Sequence, residues 1–258
     1  MIITKLQGGL GNQLFQWAVT RNLSLKYNTE YFFDLNHIPK SHPGVTSRGI
    51  DIDKFEKLSI KPMTSRPNLP TMVDKFTYYN IPDNSYLDGY WQSEKYFKEN
   101  ELIIREELSI PHKLKTNLIE KYSFLKEETI GIHVRRGDYL HLSNYHPIQT
   151  VEYYKKAYDL IGVKNINVVV VSDDIQWCKN NLNFENIHFI EGESNISDLY
   201  IMSLCNHNII SNSTFSWWGA WLNINLNKKV IIPDKWFGPT LSSSLPSDDI
   251  YCENWIRL

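Results

Sequence analysis

The stretch Ile130-Gly131-Ile132-His133-Val134-Arg135-Arg136-Gly137-Asp138-Tyr139 decides the fold. Its first five residues read as a buried strand, and the charge begins abruptly at Arg135. Downstream, residues 151–161 have helical spacing, 167–171 form an uninterrupted apolar strand, and 174–181 read as another helix. The alternation continues with strands at 187–190, 208–211 and 230–232 and helices at 196–205 and 215–224. Upstream, residues 2–6 read as a strand running into Gly8-Gly9-Leu10-Gly11, after which Phe15, Ala18, Val19 and Leu23 mark one helical face. Residues 31–34 and 86–90 read as strands and 93–108 as a helix, whereas 36–85 are rich in Pro, Ser, Thr and Asn and read as loops with short elements. Strands alternating with helices specify an α/β fold with largely parallel sheets. A boundary between Glu107 and Thr129 divides the chain into domains at residues 1–120 and 121–258. The helix at 215–224 carries Phe215, Trp218 and Leu222 on one face and Trp217, Trp221 and Ile224 on another, so it belongs in a core.

With 258 residues, 42% hydrophobic and 22% charged, the composition is that of a globular protein that needs no covalent staples. A formal net charge of -2 provides no global field for nucleic acid, so anion binding must be local. Cys178, Cys205 and Cys252 are widely spaced and odd in number, which fits neither a disulfide framework nor a CxxC metal site. No apolar run approaches the roughly 20 residues of a bilayer helix, and Met1-Ile2-Ile3-Thr4-Lys5 lacks the pattern of a signal peptide.

Four segments carry chemistry. In an open parallel sheet, ligands gather at the carboxyl ends of strands. Arg135 and Arg136 stand at such an end; side chains alternate along a strand, and an unpaired guanidinium cannot be buried, so one of the two faces a cleft. A guanidinium fork matches a pair of pyrophosphate oxygens; the alternative is a structural ion pair with Asp138. His133 shares a strand face with Arg135. The run Ser211-Asn212-Ser213-Thr214-Phe215 leads from a strand into the apolar helix, where hydroxyls and free N–H groups make a phosphate seat or a simple helix cap. Asp173 and Asp174, after Val171-Ser172, suit the N1–H and amino edge of guanine; capping of the following helix by Ser172 or Asp173, or a divalent metal, are the alternatives. Gly8, Gly9 and Gly11 permit a close backbone approach, with the Asn12 and Gln13 amides beside them.

Taken together, GGLGNQLFQ at 8–16, HVRRGDY at 133–139 and SNSTFSWWGAWLN at 211–223 resemble the α-1,2-fucosyltransferases of glycosyltransferase family 11. The resemblance runs over nearly the whole chain, with residues 36–85 contributing little. It implies a GT-B type fold of two Rossmann-like domains facing a cleft, with GDP-fucose held mainly by the C-terminal one, inversion at the anomeric carbon, and no metal or other cofactor. It places His133 and Arg135 at the nucleotide and β-phosphate, Arg136 in support, and Asp173 or Asp174 at guanine. It sets Asn212, Ser213, Thr214 and Phe215 at the pyrophosphate and fucose, and Gly9, Gly11, Asn12 and Gln13 in a loop facing donor and acceptor.

The expected catalytic residues are Arg135 for the leaving phosphate, Asp138 as general base, and Asn12 as orienter of the acceptor. Proton transfer to water or to the departing phosphate is the alternative to a base. Tyr90, Trp91, Trp236 and Phe237 are candidates to stack on an acceptor sugar, most such aromatics being core residues. The expected partners are GDP-fucose and an oligosaccharide or lipid-linked glycan, without nucleic acid. Vertebrate members of the family carry an N-terminal anchor, so its absence here predicts a bacterial cytoplasmic enzyme, peripheral at the inner membrane face. Another sugar from a GDP-type donor, or a non-catalytic binding protein, are the competing readings.

Overall fold

The first apolar strand, β1 (Ile2–Lys5), leads through the glycine turn into α1 (Leu10–Tyr27), 13 of whose 18 residues are buried. The helix ends at Asn28, which adopts the left-handed conformation that asparagine tolerates. Strands β2 (Tyr31–Asp34), β3 (Thr71–Val73) and β4 (Ser85–Asp88) join β1 in a parallel sheet of order β2-β1-β4-β3, and α2 (Glu101–Glu107) follows after two short 3₁₀ turns. This computed structural model describes residues 1–38, 49–65 and 67–258. Within the stretch read as loops, β3 and the Phe33–Pro62 bridge are additions, and residues 39–48 and 66 lie outside the described residues.

The rest of the chain supplies α3 (His112–Lys121), β5 (Thr129–Val134), α4 (Val151–Ile161), β6 (Asn167–Ser172), α5 (Ile175–Asn181), β7 (Ile187–Phe189), α6 (Asn195–Leu204), β8 (His207–Ile209), α7 (Thr214–Leu222), β9 (Val230–Ile232), α8 (Pro239–Ser242) and β10 (Ile256–Arg257). Its six strands are all parallel, in the order β10-β9-β8-β5-β6-β7. By compactness the chain divides into Met1–Ser109 with Leu245–Cys252, and Ile110–Ser244 with Glu253–Leu258. The returning segment Leu245–Cys252 is fixed within the first unit by Asp249, which accepts from the Tyr78 amide at 2.5 Å and pairs with Lys95. Among the described residues no helix is long and apolar enough to cross a membrane.

Strand β5 is buried along its whole length, which is why it reads as an apolar run. On one face Ile130, Ile132 and Val134 pack with Val168 and Val170 against Tyr154, Ala157 and Ile161 of α4 and Cys178 of α5. On the other face Gly131 admits α6 so closely that a Cβ would lie 3.0 Å from Cys205 Sγ and 3.2 Å from Met202 Sδ. The α7 helix is core all round: Trp217, Trp218 and Trp221 are at most 2% exposed. It meets α6 through Gly219, where a Cβ would stand 2.8 Å from Met202 Cβ. Gly219→Ala should therefore lower stability by about 1–3 kcal/mol, the range for overpacking a tight core. Thermal and urea denaturation measure this, and an unchanged midpoint would show that the two helices are not in such close contact.

Candidate functional site

The carboxyl ends of β8, β5 and β6 lie side by side because these strands are neighbours in register, Ile132 opposite Ile209 and Val134 opposite Ser172. Three segments singled out in the sequence are thereby gathered on one edge of one sheet. His133 sits inside that edge, 5% exposed, with Nδ1 and Ser211 Oγ 2.9 Å apart. Burial, and secondarily the Arg135 charge, pushes its pKa down to about 3, so the ring is neutral in ordinary buffers. The His133–Ser211 bond ties the arginine-bearing strand end to the segment that starts α7. A second tie runs from Tyr139 Oη to the Asn212 carbonyl at 3.1 Å. Asn212 is fixed further by Gln149 at 3.2 Å and the Trp236 carbonyl at 3.1 Å.

The two arginines part company immediately. Arg136 turns toward α5, its guanidinium 4.1 Å above the Trp177 ring and its Nε 3.0 Å from Asp174 Oδ2. Asp174 Oδ1 accepts from the Trp177 amide at 3.2 Å, so this carboxylate caps α5, whereas the capping alternative names Ser172 or Asp173. Arg135 is partly exposed, at 24% of its side chain, and pairs with Asp138 and, at 2.8 Å, with Asp173. Asp173 also accepts from the Arg136 amide at 2.9 Å. Gly137 permits this approach, since a Cβ there would come within 2.5 Å of Asp173 Oδ2. The two guanidinium groups thus face three carboxylates, and Asp138 is committed to Arg135.

The α7 start is differently equipped. Ser213 occupies the N-cap position without capping through its side chain, and no hydrogen bond of the Ser213 or Thr214 hydroxyl is found among the described residues. The Ser213 amide is bound to Ser211 O, and Trp217 N is the first helical amide, reaching back to Ser213 O. The amides of Thr214, Phe215 and Ser216 are those that a helix start leaves without intrahelical partners. Phe215 is half-buried, its ring centroid 5.3 Å from that of His133.

A cleft of about 280 Å³ opens beside Asp173, lined also by Ser172, Ile190, Glu191, Glu193 and Asp198. Glu193 is tied to Lys121 and, at 2.9 Å, to Tyr122 Oη. Burial raises its pKa, but those hydrogen bonds outweigh burial and hold the carboxyl below its ordinary range. No partner is found for the Asp198 carboxyl among the described residues; burial, then the neighbouring Glu193 charge, pushes it up to about 6. An acid in the first turn of a helix looks like ordinary dipole pairing, so the sequence alone did not single Asp198 out.

The predicted loop residues Gly9, Gly11, Asn12 and Gln13 belong to the first unit. Gly9 is the N-cap of α1 and Gly11 lies buried in its first turn. Gln13 is buried and committed to the backbone, donating to Gly8 O and Gly49 O at 2.9 Å and accepting from the Asp51 amide at 2.9 Å. Asn12 Oδ1 accepts from Gln92 Nε2 at 2.9 Å. Trp91, Trp236 and Phe237 are buried core residues, which leaves Tyr90, partly exposed, as the aromatic able to face a sugar.

A family model, Glycosyl transferase family 11, matches residues 3–258. The chain belongs to glycosyltransferase family 11. It is a glycosyltransferase, similar to an Escherichia coli alpha-1,2-colitosyltransferase at 30% identity over 100% of this chain and 99% of that protein. It is also similar to the Escherichia coli O-antigen biosynthesis glycosyltransferase WbnK, at 30% identity over 98% and 99%. A rat galactoside alpha-(1,2)-fucosyltransferase 2 matches at 35% identity over 36% of this chain and 29% of its own. The fold is that of the fucosyltransferase NodZ from Bradyrhizobium, with TM-score 0.51 and 14% identity over 84% of this chain and 91% of that one. The two Rossmann-like units are accordingly of GT-B type.

In this family 11 chain the Asp198 carboxyl makes a pH-dependent contribution to stability whose sign is fixed. Its folded pKa lies above the unfolded carboxylate value, so the folded state binds more protons between about pH 4 and pH 6. Stability is therefore lost as pH rises through that window. Asp198→Asn should be more stable than the parent at pH 7.5 by roughly 1–2 kcal/mol, allowing for partial exposure, with the difference gone at pH 4. Melting curves at the two pH values check this, and a variant less stable at pH 7.5 would contradict it.

Proposed function

We propose that the protein transfers L-fucose from GDP-fucose, with inversion and without a metal, to a glycan hydroxyl, O2 of galactose being the first candidate. The observation that carries the reading is the adjacency of Arg135 at the end of β5 and the hydroxyl-rich start of α7, joined through His133 and Ser211. The acceptor hydroxyl attacks C1 from the face opposite GDP, and negative charge collects on the departing β-phosphate. Arg135 and the amides of Thr214, Phe215 and Ser216 are the donors that meet it. To do so Arg135 exchanges a carboxylate for phosphate, which frees Asp138 to take the acceptor proton. His133, buried and neutral, positions Ser211 and transfers no proton itself.

Guanine is assigned to the cleft beside Asp173. Asp173 and Asp174 are engaged by the arginines and the α5 cap, so Asp198 is the carboxylate left to accept from N1–H and the 2-amino group. Support for the donor comes from relatives: the solved NodZ alpha-1,6-fucosyltransferase was soaked with GDP-fucose, and a rat relative acts on galactosides by name. The alpha-1,2-colitosyltransferase favours a second reading, in which a related deoxysugar is moved by the same phosphate grip. The O-antigen relative supports a surface-glycan acceptor, carried on lipid at the cytoplasmic face of the inner membrane.

Purified protein incubated with GDP-fucose, GDP-colitose or GDP-mannose, a β-galactoside and EDTA separates these readings by product linkage. Fucosyl transfer undiminished by the chelator is expected; transfer of colitose alone, or a requirement for added metal, would overturn the corresponding part. Arg135→Ala should lower turnover at saturating donor by about 100-fold or more, as for one preorganised oxyanion donor. Near-parent turnover would remove Arg135 from the leaving-group role. Asp198 must be ionised to accept two N–H groups, so GDP affinity should fall about tenfold per pH unit below pH 6. Calorimetry from pH 4.5 to 8 measures this, and a flat profile would dissociate Asp198 from the base.

A further inference from the structure

Arg135 has to change partners without losing its place. Asp138 and Asp173 hold its guanidinium through N–H groups, the same donors that a phosphate would use. A group that keeps the fork in place while those bonds are exchanged must therefore grip it in another way. Among the described contacts of Arg135 one does so: the guanidinium carbon lies over the Tyr139 ring, 5.2 Å from its centroid. That attraction is between the charge and the ring quadrupole, so it contains no N–H···O bond that phosphate would have to replace.

The ring is itself fixed. Tyr139 lies in the 3₁₀ turn Gly137–His141 that follows the arginine pair. Its hydroxyl donates to the Asn212 carbonyl at 3.1 Å, two residues before Thr214 opens α7, so one side chain reaches from the arginine to the helix start. Its ring stacks on the His146 imidazole, centroids 4.7 Å apart and planes 17° from parallel. His146 is tied by its own amide to Leu142 O at 2.8 Å, and its ring centroid is 6.4 Å from that of buried Phe237. Burial lowers the His146 pKa, the Asp138 charge opposing this and the Arg135 charge adding to it. The imidazole is therefore neutral above pH 7 and does not compete with Arg135 as a second cation on the ring.

We propose that Tyr139 is a positioning residue for the diphosphate, holding the Arg135 guanidinium by its charge while Asp138 is exchanged for phosphate and setting it against the α7 start through Asn212. This rests on the donor reading above. A tyrosine that merely packed would matter equally with and without Arg135. One that positions the guanidinium matters only when the guanidinium is there.

A double-mutant cycle on affinity for GDP, measured by calorimetry, separates the two. Tyr139→Leu should weaken GDP binding about fivefold to thirtyfold in the parent, the range for a partly desolvated cation–π contact. In Arg135→Ala the same substitution should cost no more than about twofold. Tyr139→Phe keeps the ring and should recover most of the loss, leaving about threefold for the missing tie to Asn212. Pentafluorophenylalanine at position 139 keeps the shape of phenylalanine and reverses the ring quadrupole, so it should reproduce most of the leucine loss even where Tyr139→Leu fails to fold. Equal GDP affinity in the parent and Tyr139→Leu, an undiminished Tyr139→Leu loss in Arg135→Ala, or equal affinity with the two phenylalanines would overturn the inference. A parent that binds no GDP would fail the donor reading and this role with it, a result distinct from those three.

Discussion

The hydrogen bond between His133 and Ser211 joins the two segments on which the proposed chemistry depends. It exists because β5 and β8 are parallel neighbours, so their chains leave the sheet on the same edge, one into the arginine pair and the other into α7. Burial keeps the imidazole neutral, which lets it bond a hydroxyl without placing a second positive charge next to Arg135. The tryptophan-rich body of α7 anchors the other side of the arrangement. A helix buried all round cannot shift its first turn without disturbing the core.

The arginines are not bare cations awaiting an anion. Arg136 is locked between Trp177 and Asp174, and Arg135 rests between Asp138 and Asp173. The carboxylates hold the Arg135 fork in place and keep an isolated guanidinium from being desolvated. Phosphate binding then becomes an exchange of partners, and its strength depends on how readily the more exposed Asp138 gives way. The adjacent arginines divide the labour through their partners: Arg136 is drawn to Trp177 and the Asp174 cap of α5, while Arg135 stays at the edge with Asp138 and Asp173.

Much of this was legible in the sequence. Buried parallel strands are uninterrupted apolar runs, so β5, β6 and β9 were readable to within a residue or two. The three-residue β3 lacks that signal because two of its residues are exposed, and two-residue β10 is too short to show periodicity. The helix expected over 93–108 is instead two 3₁₀ turns and the seven-residue α2, since the tight Tyr78–Tyr96–Trp91 packing overrides propensity there. At the site, motif strings located Arg135, His133 and the α7 start. They could not show that Arg136 faces inward, that Gln13 serves the backbone, or that Asp198 stands in a cleft with no partner for its carboxyl among the described residues. The first two depend on neighbours far away in the chain, Trp177 and Gly49, and the third on burial that only the folded chain supplies.

The most direct test of the central claim is a crystal structure of the protein with GDP. In that complex β-phosphate oxygens should lie within hydrogen-bond distance of the Arg135 guanidinium and of the amides of residues 214–216, with the Arg135–Asp138 pair broken and His133–Ser211 intact. Phosphates bound elsewhere, with Arg135 still held by both carboxylates, would contradict it.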